Sequence, residues 1–219
     1  MFTEMKRAKR RYVLKARGEQ MAETRACIVE AIMQLHEEVG PRKTTVSAIA
    51  ARAGVERLTV YRHFQDEASM FEACSHRYLE LNPPPNPSAW AAELDPARRA
   101  RRGLGDLYAF FGRTSSMFEK IYRDVGDYKS LKKIMDQFDA HLRDLADDLA
   151  EAWPRDKAAA QRRVILRHAV KFSTWRSLEA EGVGHEQKVT LILDWLFAGR
   201  NEPAKTADSR LTPRSGGAD

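Results

Sequence analysis

Residues 44–70 read TTVSAIAARAGVERLTVYRHFQDEASM, two short amphipathic segments joined at Ala53-Gly54-Val55. Thr44 or Thr45 offers a hydroxyl N-cap to a first helix carrying Val46, Ile49 and Ala50. Gly54 accepts the positive φ that a tight turn requires. A second short helix spans about residues 56–62. Val46, Ile49, Ala50, Val55, Val60 and Phe64 supply an apolar back, and Ala50 and Ala53 are small enough for two helices to approach closely. Arg57, Leu58, Thr59, Tyr61 and Arg62 then turn toward solvent. This is a helix-turn-helix pattern, whose second helix enters the major groove, where Arg donates two bonds to guanine and Thr offers a hydroxyl and a methyl. Tyr61, His63 and the start of the first short helix, with its free N–H groups, suit phosphate contacts.

Outward from this module the punctuation is helical throughout. Upstream, Ile28, Ala31, Ile32 and Leu35 keep one apolar face from about residue 19 until Gly40 and Pro41 stop the helix. Residues 1–17 form a basic arm (Lys6, Arg7, Lys9, Arg10, Arg11, Lys15, Arg17), either loose or an extension of that helix. Downstream, Asp66 caps a helix with Met70, Phe71 and Cys74 inward, which runs to about Leu81. Pro83, Pro84, Pro85 and Pro87 forbid helix and mark a boundary. Asp95-Pro96 is an N-cap with a first helical residue, opening a helix to about residue 113. Ser116 and Glu119 are spaced as the capping box of a short helix that Gly126 ends. Amphipathic stretches follow over about 128–153, broken by Pro154, over 156–181, closed by Gly182 and Gly184, and over 185–198. Strand signals are nearly absent. The expectation is an all-α chain of about nine helices. It divides into a basic arm (1–18), a three-helix helix-turn-helix domain (19–81), an aromatic-rich helical body (82–200) and a disordered tail (201–219).

Charge is unevenly placed along the 219 residues. The first 64 carry 13 Lys and Arg against 7 Asp and Glu, whereas the remaining 155 carry 24 of each. The whole formal excess of +6 therefore lies at the N-terminal end, which points to an anionic partner there. No apolar run approaches the ~20 residues of a membrane span, and no signal-peptide pattern follows the basic arm. A cytoplasmic protein is expected. Cys27 and Cys74, each inside an apolar helical pattern, are expected to be buried packing residues. The six histidines have no metal-ligand spacing, and nucleophile, phosphate-loop and dinucleotide motifs are missing. Neither catalysis nor a metal or cofactor is expected.

Residues 44–70, and above all Ala53-Gly54-Val55 with Thr59-Val60-Tyr61-Arg62-His63-Phe64, closely resemble the DNA-binding domain of TetR-type repressors. The resemblance covers about residues 19–80. It implies that Thr44 or Thr45, Tyr61 and His63 meet phosphates, and that Arg57, Leu58 and Thr59 meet bases or their neighbourhood. Two positions depart from the family pattern. Glu67 stands where many members place a Lys that reaches a phosphate, and Leu58 is bulkier than usual, which suits a thymine methyl.

The resemblance also implies that the body beyond residue 82 receives a ligand and dimerises. Tyr108, Phe111, Phe118, Tyr122, Phe138, Phe172 and Trp175 are the aromatic candidates for a pocket, with His141 and His168 as polar ones. Leu178, Val189, Ile192, Leu196 and Phe197 form the candidate dimer face. The partners expected are double-stranded operator DNA, an unidentified small effector and a second copy of the chain. The expected mechanism is repression relieved by a small, largely apolar or aromatic molecule through a population shift. An activator, a nucleoid-associated protein and a basic membrane-surface module are the alternatives.

Overall fold

The computed structural model describes residues 2–198, with side chains described from residue 15 onward. The expected disordered tail lies outside the described residues. Nine α-helices, and no strands, are present among those described. They are α1 (Phe2–Glu38), α2 (Val46–Ala53), α3 (Arg57–His63), α4 (Glu67–Leu81), α5 (Pro96–Asp124), α6 (Lys129–Glu151), α7 (Ala159–Ala169), α8 (Phe172–Ala180) and α9 (His185–Ala198). None is long and apolar enough to cross a membrane.

The helix starts follow local chemistry. Thr45 is the cap of α2, its hydroxyl accepting the Ala48 N–H at 3.1 Å. Thr44 instead donates to the Gly40 carbonyl at 2.9 Å, so only one of the two threonines caps. Asp66 and Asp95 cap α4 and α5 by accepting the Ser69 and Arg98 N–H groups, each at 2.8 Å. Gly54, at φ 67°, closes α2 in the left-handed conformation, where a Cβ is penalised.

Helices α2 and α4 pack on α1, and α3 packs on α2. Ile28, Ile32, Leu35, Ile49, Val60, Phe64 and Phe71 are buried between them. In the remainder of the chain α5 lies against α9, and α6 against α7. The two parts share one continuous apolar core, since α4 also packs on α6.

Of the two states open to the basic arm, it takes the second, as an extension of α1, which begins at Phe2. Three expectations are corrected. There is no capping box at Ser116, because α5 runs unbroken from Pro96 to Asp124. Its apolar stripe continues through Met117, Phe118 and Ile121, and the Ser116 hydroxyl donates to Glu37 at 2.6 Å instead. The single helix expected over 156–181 breaks at Val170-Lys171, giving α7 and α8. Side chains satisfy the carbonyls freed at the break. Thr174 donates to His168 at 2.7 Å and Tyr108 to Ala169 at 3.0 Å. Finally, Cys74 is buried but Cys27 is exposed, because it lies on the outer face of α1.

Candidate nucleic-acid interface

Helix α3 is short, and its inner side is fixed by two residues. Val60 is fully buried and Phe64 nearly so, with the Arg25 guanidinium 4.7 Å from the centre of the Phe64 ring. With Val60 held inward, Arg57, Leu58, Tyr61 and Arg62 are all exposed, while Thr59 and His63 are half-buried at its flanks. Leu58 is 60 % exposed, on a helix whose apolar needs Val60 already meets.

Which cations are free decides what this surface can bind. Arg52 is held bidentately by Glu38, both bonds 2.8 Å. Arg42 is held by Asp127, its Nε donating at 2.7 Å. Arg57 and Arg62 have neither an ion pair nor a hydrogen bond from their side chains among the described residues. Neither does Lys43, which is exposed in the turn just before α2. The sequence reading passed over Lys43 because it lies outside both short helices. The structure sets it beside Thr45 at the N-terminus of α2, where first-turn N–H groups lack intrahelical acceptors. Thr45 accepts through its hydroxyl oxygen and keeps its O–H to donate. Glu67 opens α4 next to this surface, and partial burial raises its carboxyl pKa.

Behind the module sits a polar joint. Asp124, fully buried at the end of α5, accepts the Arg42 backbone N–H at 3.1 Å and two bonds from Arg123 at 2.7 and 2.8 Å. The Arg123 bonds hold its carboxyl below the usual carboxylate range despite the burial. Arg123 also donates to the Val39 carbonyl at 3.1 Å. Gly40 takes φ 89° in the same place, and a Cβ there would collide with the Arg123 guanidinium.

The residues expected to line a pocket separate into groups. Tyr122 and Phe172 line an open cavity of about 910 Å³ between α5, α6, α7 and α8. Phe118 and Phe138 border a smaller, apolar cavity of about 60 Å³ beneath α4. Tyr108, Phe111 and Trp175 are core residues, with Phe111 packed on Phe172 and Trp175 at ring distances of 5.4 and 6.0 Å, and Tyr108 and Trp175 also border an open cavity of about 490 Å³ beside the start of α9. His141 is exposed and lines none of these three cavities, whereas His168 is exposed at the rim of the largest one.

The dimer face read from the sequence is turned the wrong way for three of its five residues. Val189, Ile192 and Leu196 are buried within the protomer, where α9 meets α5 and α7. The apolar residues that α9 exposes are Leu191, Trp195 and Phe197, Phe197 lying edge-on to Trp153 at 5.4 Å. Leu178 is half-buried on α8. Periodicity placed a face on α9 but gave no way to tell which neighbour covers it.

Comparison with known proteins now bears on this surface. Residues 28–74 match the family model described as bacterial regulatory proteins, tetR family. No curated protein matches the chain. Among solved structures, it resembles a TetR-like transcriptional regulator from Rhodococcus sp. RHA1, at 17 % identity and a TM-score of 0.59, over 81 % of this chain and 95 % of that one. A TetR transcription regulator from Haloarcula marismortui aligns at 12 % identity and a TM-score of 0.57, over 81 % and 98 %. A tetR-family regulator from Streptomyces coelicolor aligns at 17 % and 0.56, over 80 % and 83 %. At these identities the likeness is one of fold.

Proposed function

We propose that this chain, a member of the tetR family of bacterial regulatory proteins, represses transcription by seating α3 in the major groove of a palindromic operator. A small, largely apolar or aromatic molecule held in the helical body releases it. The observation that carries this reading is the outer face of α3, where Arg57, Leu58, Tyr61 and Arg62 are exposed and both guanidinium groups lack a partner among the described residues. Arg57, Leu58 and Thr59 read bases. Tyr61, Arg62, His63 and Thr45 hold phosphates, and Lys43 joins them, whereas Thr44 spends its O–H and N–H on the carbonyls of Gly40 and Pro41.

A palindrome requires two copies related by a two-fold axis, with half-sites about one helical turn apart or a multiple of it. Leu191 and Trp195, one turn apart on α9, together with Leu178 on α8, supply the apolar face for that second copy, while Phe197 lies on the other side of α9 against Trp153.

The test is fluorescence anisotropy on DNA fragments from around the chain's own promoter. Arg57→Ala is expected to relax discrimination at one base position by ~1–3 kcal/mol, and Tyr61→Ala to weaken all sequences alike. Affinity unchanged by both substitutions would sink the assignment of α3. A promoter–reporter fusion whose output falls, rather than rises, when the protein is removed would make it an activator.

A further inference from the structure

The open cavity of about 910 Å³ has an unusual lining. One wall is a flat aromatic pair, Tyr122 and Phe172, stacked at 5.4 Å with their planes 6° apart. Around it stand five cationic side chains and a single carboxylate, Asp139. That carboxylate is already engaged, accepting the Tyr122 hydroxyl at 2.8 Å. Two of the cations are also engaged, Arg123 with Asp124 and Arg167 with Asp147. Arg143, Lys171 and Arg176 are not: their side chains have no ion pair or hydrogen bond among the described residues.

The backbone adds to this imbalance. Phe172 and Ser173 open α8 and line the cavity, where N–H groups have no acceptor within the helix, while the N–H groups of Lys171 and Thr174 are taken by the carbonyls of His168 and Lys171. The opposing carbonyl end of α7 is neutralised, since His168 and Ala169 accept the Thr174 and Tyr108 hydroxyls. Three unpaired cations on a concave site create a potential that favours an anion, while the part-exposed ring of Tyr122, backed by the buried Phe172, favours a flat apolar body.

Arg123 ties this cavity to the DNA-binding end. Its guanidinium lines the cavity and also donates to Asp124 and to the carbonyl of Val39. Asp124 in turn holds the backbone N–H of Arg42. The turn between α1 and α2 is therefore gripped through a side chain that an anion in the cavity would compete for.

We propose that this cavity binds an organic anion, a carboxylate or phosphate monoester on a flat apolar body, and that Arg123 passes its occupancy to the turn in front of the helix-turn-helix. The effector half of this inference rests on the reading of the chain as a ligand-released DNA-binding protein; the binding half does not. Isothermal titration calorimetry on the full chain, without DNA, would compare 2-naphthoate and 2-naphthyl phosphate with the neutral 2-naphthamide. At least one anion should bind tenfold or more tightly than the amide. Arg176→Gln and Lys171→Gln, both exposed positions, should each weaken that anion at least fivefold without moving Tm. Equal affinity for anion and amide, no binding by either anion, or indifference to both substitutions overturns the site. On a DNA fragment that the wild type binds, the anion should lower affinity, and Arg123→Gln should still take up the anion while losing that response. An anion that binds but leaves DNA affinity untouched overturns the Arg123 route and leaves the site standing. A chain that binds no DNA refutes the regulatory reading, and calorimetry still decides the site.

Discussion

His36 sits at the joint between the DNA-binding helices and the body, buried beside Cys74 with Nδ1 3.6 Å from Sγ and its ring 5.5 Å from Phe71. Burial lowers its pKa from 6.5 to about 4, against a smaller opposing pull from Asp124. Between those two values the unfolded chain binds a proton that the folded one refuses, so stability falls as pH drops from about 6.5 toward 4. At one pKa unit per 1.36 kcal/mol, the loss by pH 5 is about 2 kcal/mol. Urea denaturation at pH 7 and pH 5 should show it, and His36→Phe should flatten the difference; an equal pH dependence in both proteins would deny His36 the role. Nothing in the sequence pointed to His36, because its neighbours come from α4 and α5, far along the chain. Arg57, Tyr61 and Arg62 were legible for the opposite reason: on a helix as short as α3, burying Val60 fixes the direction of every other side chain. Lys43 was missed, since its freedom emerges only once Arg42 and Arg52 are seen to be taken by Asp127 and Glu38.

Among the elements, local chemistry marked those boundaries where a residue acts on its own backbone. Gly40-Pro41, Asp66, Asp95-Pro96 and Pro154 all work through φ, a missing N–H or a carboxylate within reach of its own helix. The boundary between α7 and α8 has no such residue. Val170-Lys171 contains neither Gly nor Pro, and the break is imposed from outside. The Phe172 ring joins a cluster with Phe111, Phe118 and Tyr122 at distances of 5.4 to 5.6 Å, while hydroxyls from Tyr108 and Thr174 satisfy the carbonyls that the break exposes. Tyr108→Phe tests this account. It keeps the ring and removes only the hydroxyl, leaving the Ala169 carbonyl without that bond in the core. The expected cost is about 1–3 kcal/mol, seen as a lower urea midpoint with an unchanged slope. No loss would mean that water or a shifted α8 supplies the bond. The unbroken α5 shows the reverse failure, in which turn-like residues such as Ser116 are carried through by a sustained apolar stripe.

At the scale of the whole molecule, two-fold recognition of DNA depends on a surface that faces outward. The helix α9 presents Leu191 at 37 % and Trp195 at 43 % exposure, four residues apart and hence on one face of the helix. Large apolar side chains clustered on a surface mark an interaction site more often than those scattered singly. Trp195→Glu should therefore convert a dimer into monomers in sedimentation analysis, with a buried charge facing its own symmetry copy across the axis. Because Trp195 is not part of the protomer's core, thermal unfolding of the separated monomer should remain cooperative and helicity should be retained. Operator affinity should fall by at least tenfold, since one α3 then binds where two had bound together. Binding to an isolated half-site should change little. A variant that stays dimeric would move the two-fold contact elsewhere on the body. A monomer that still binds the full operator as tightly as the wild type would separate dimerisation from DNA recognition altogether.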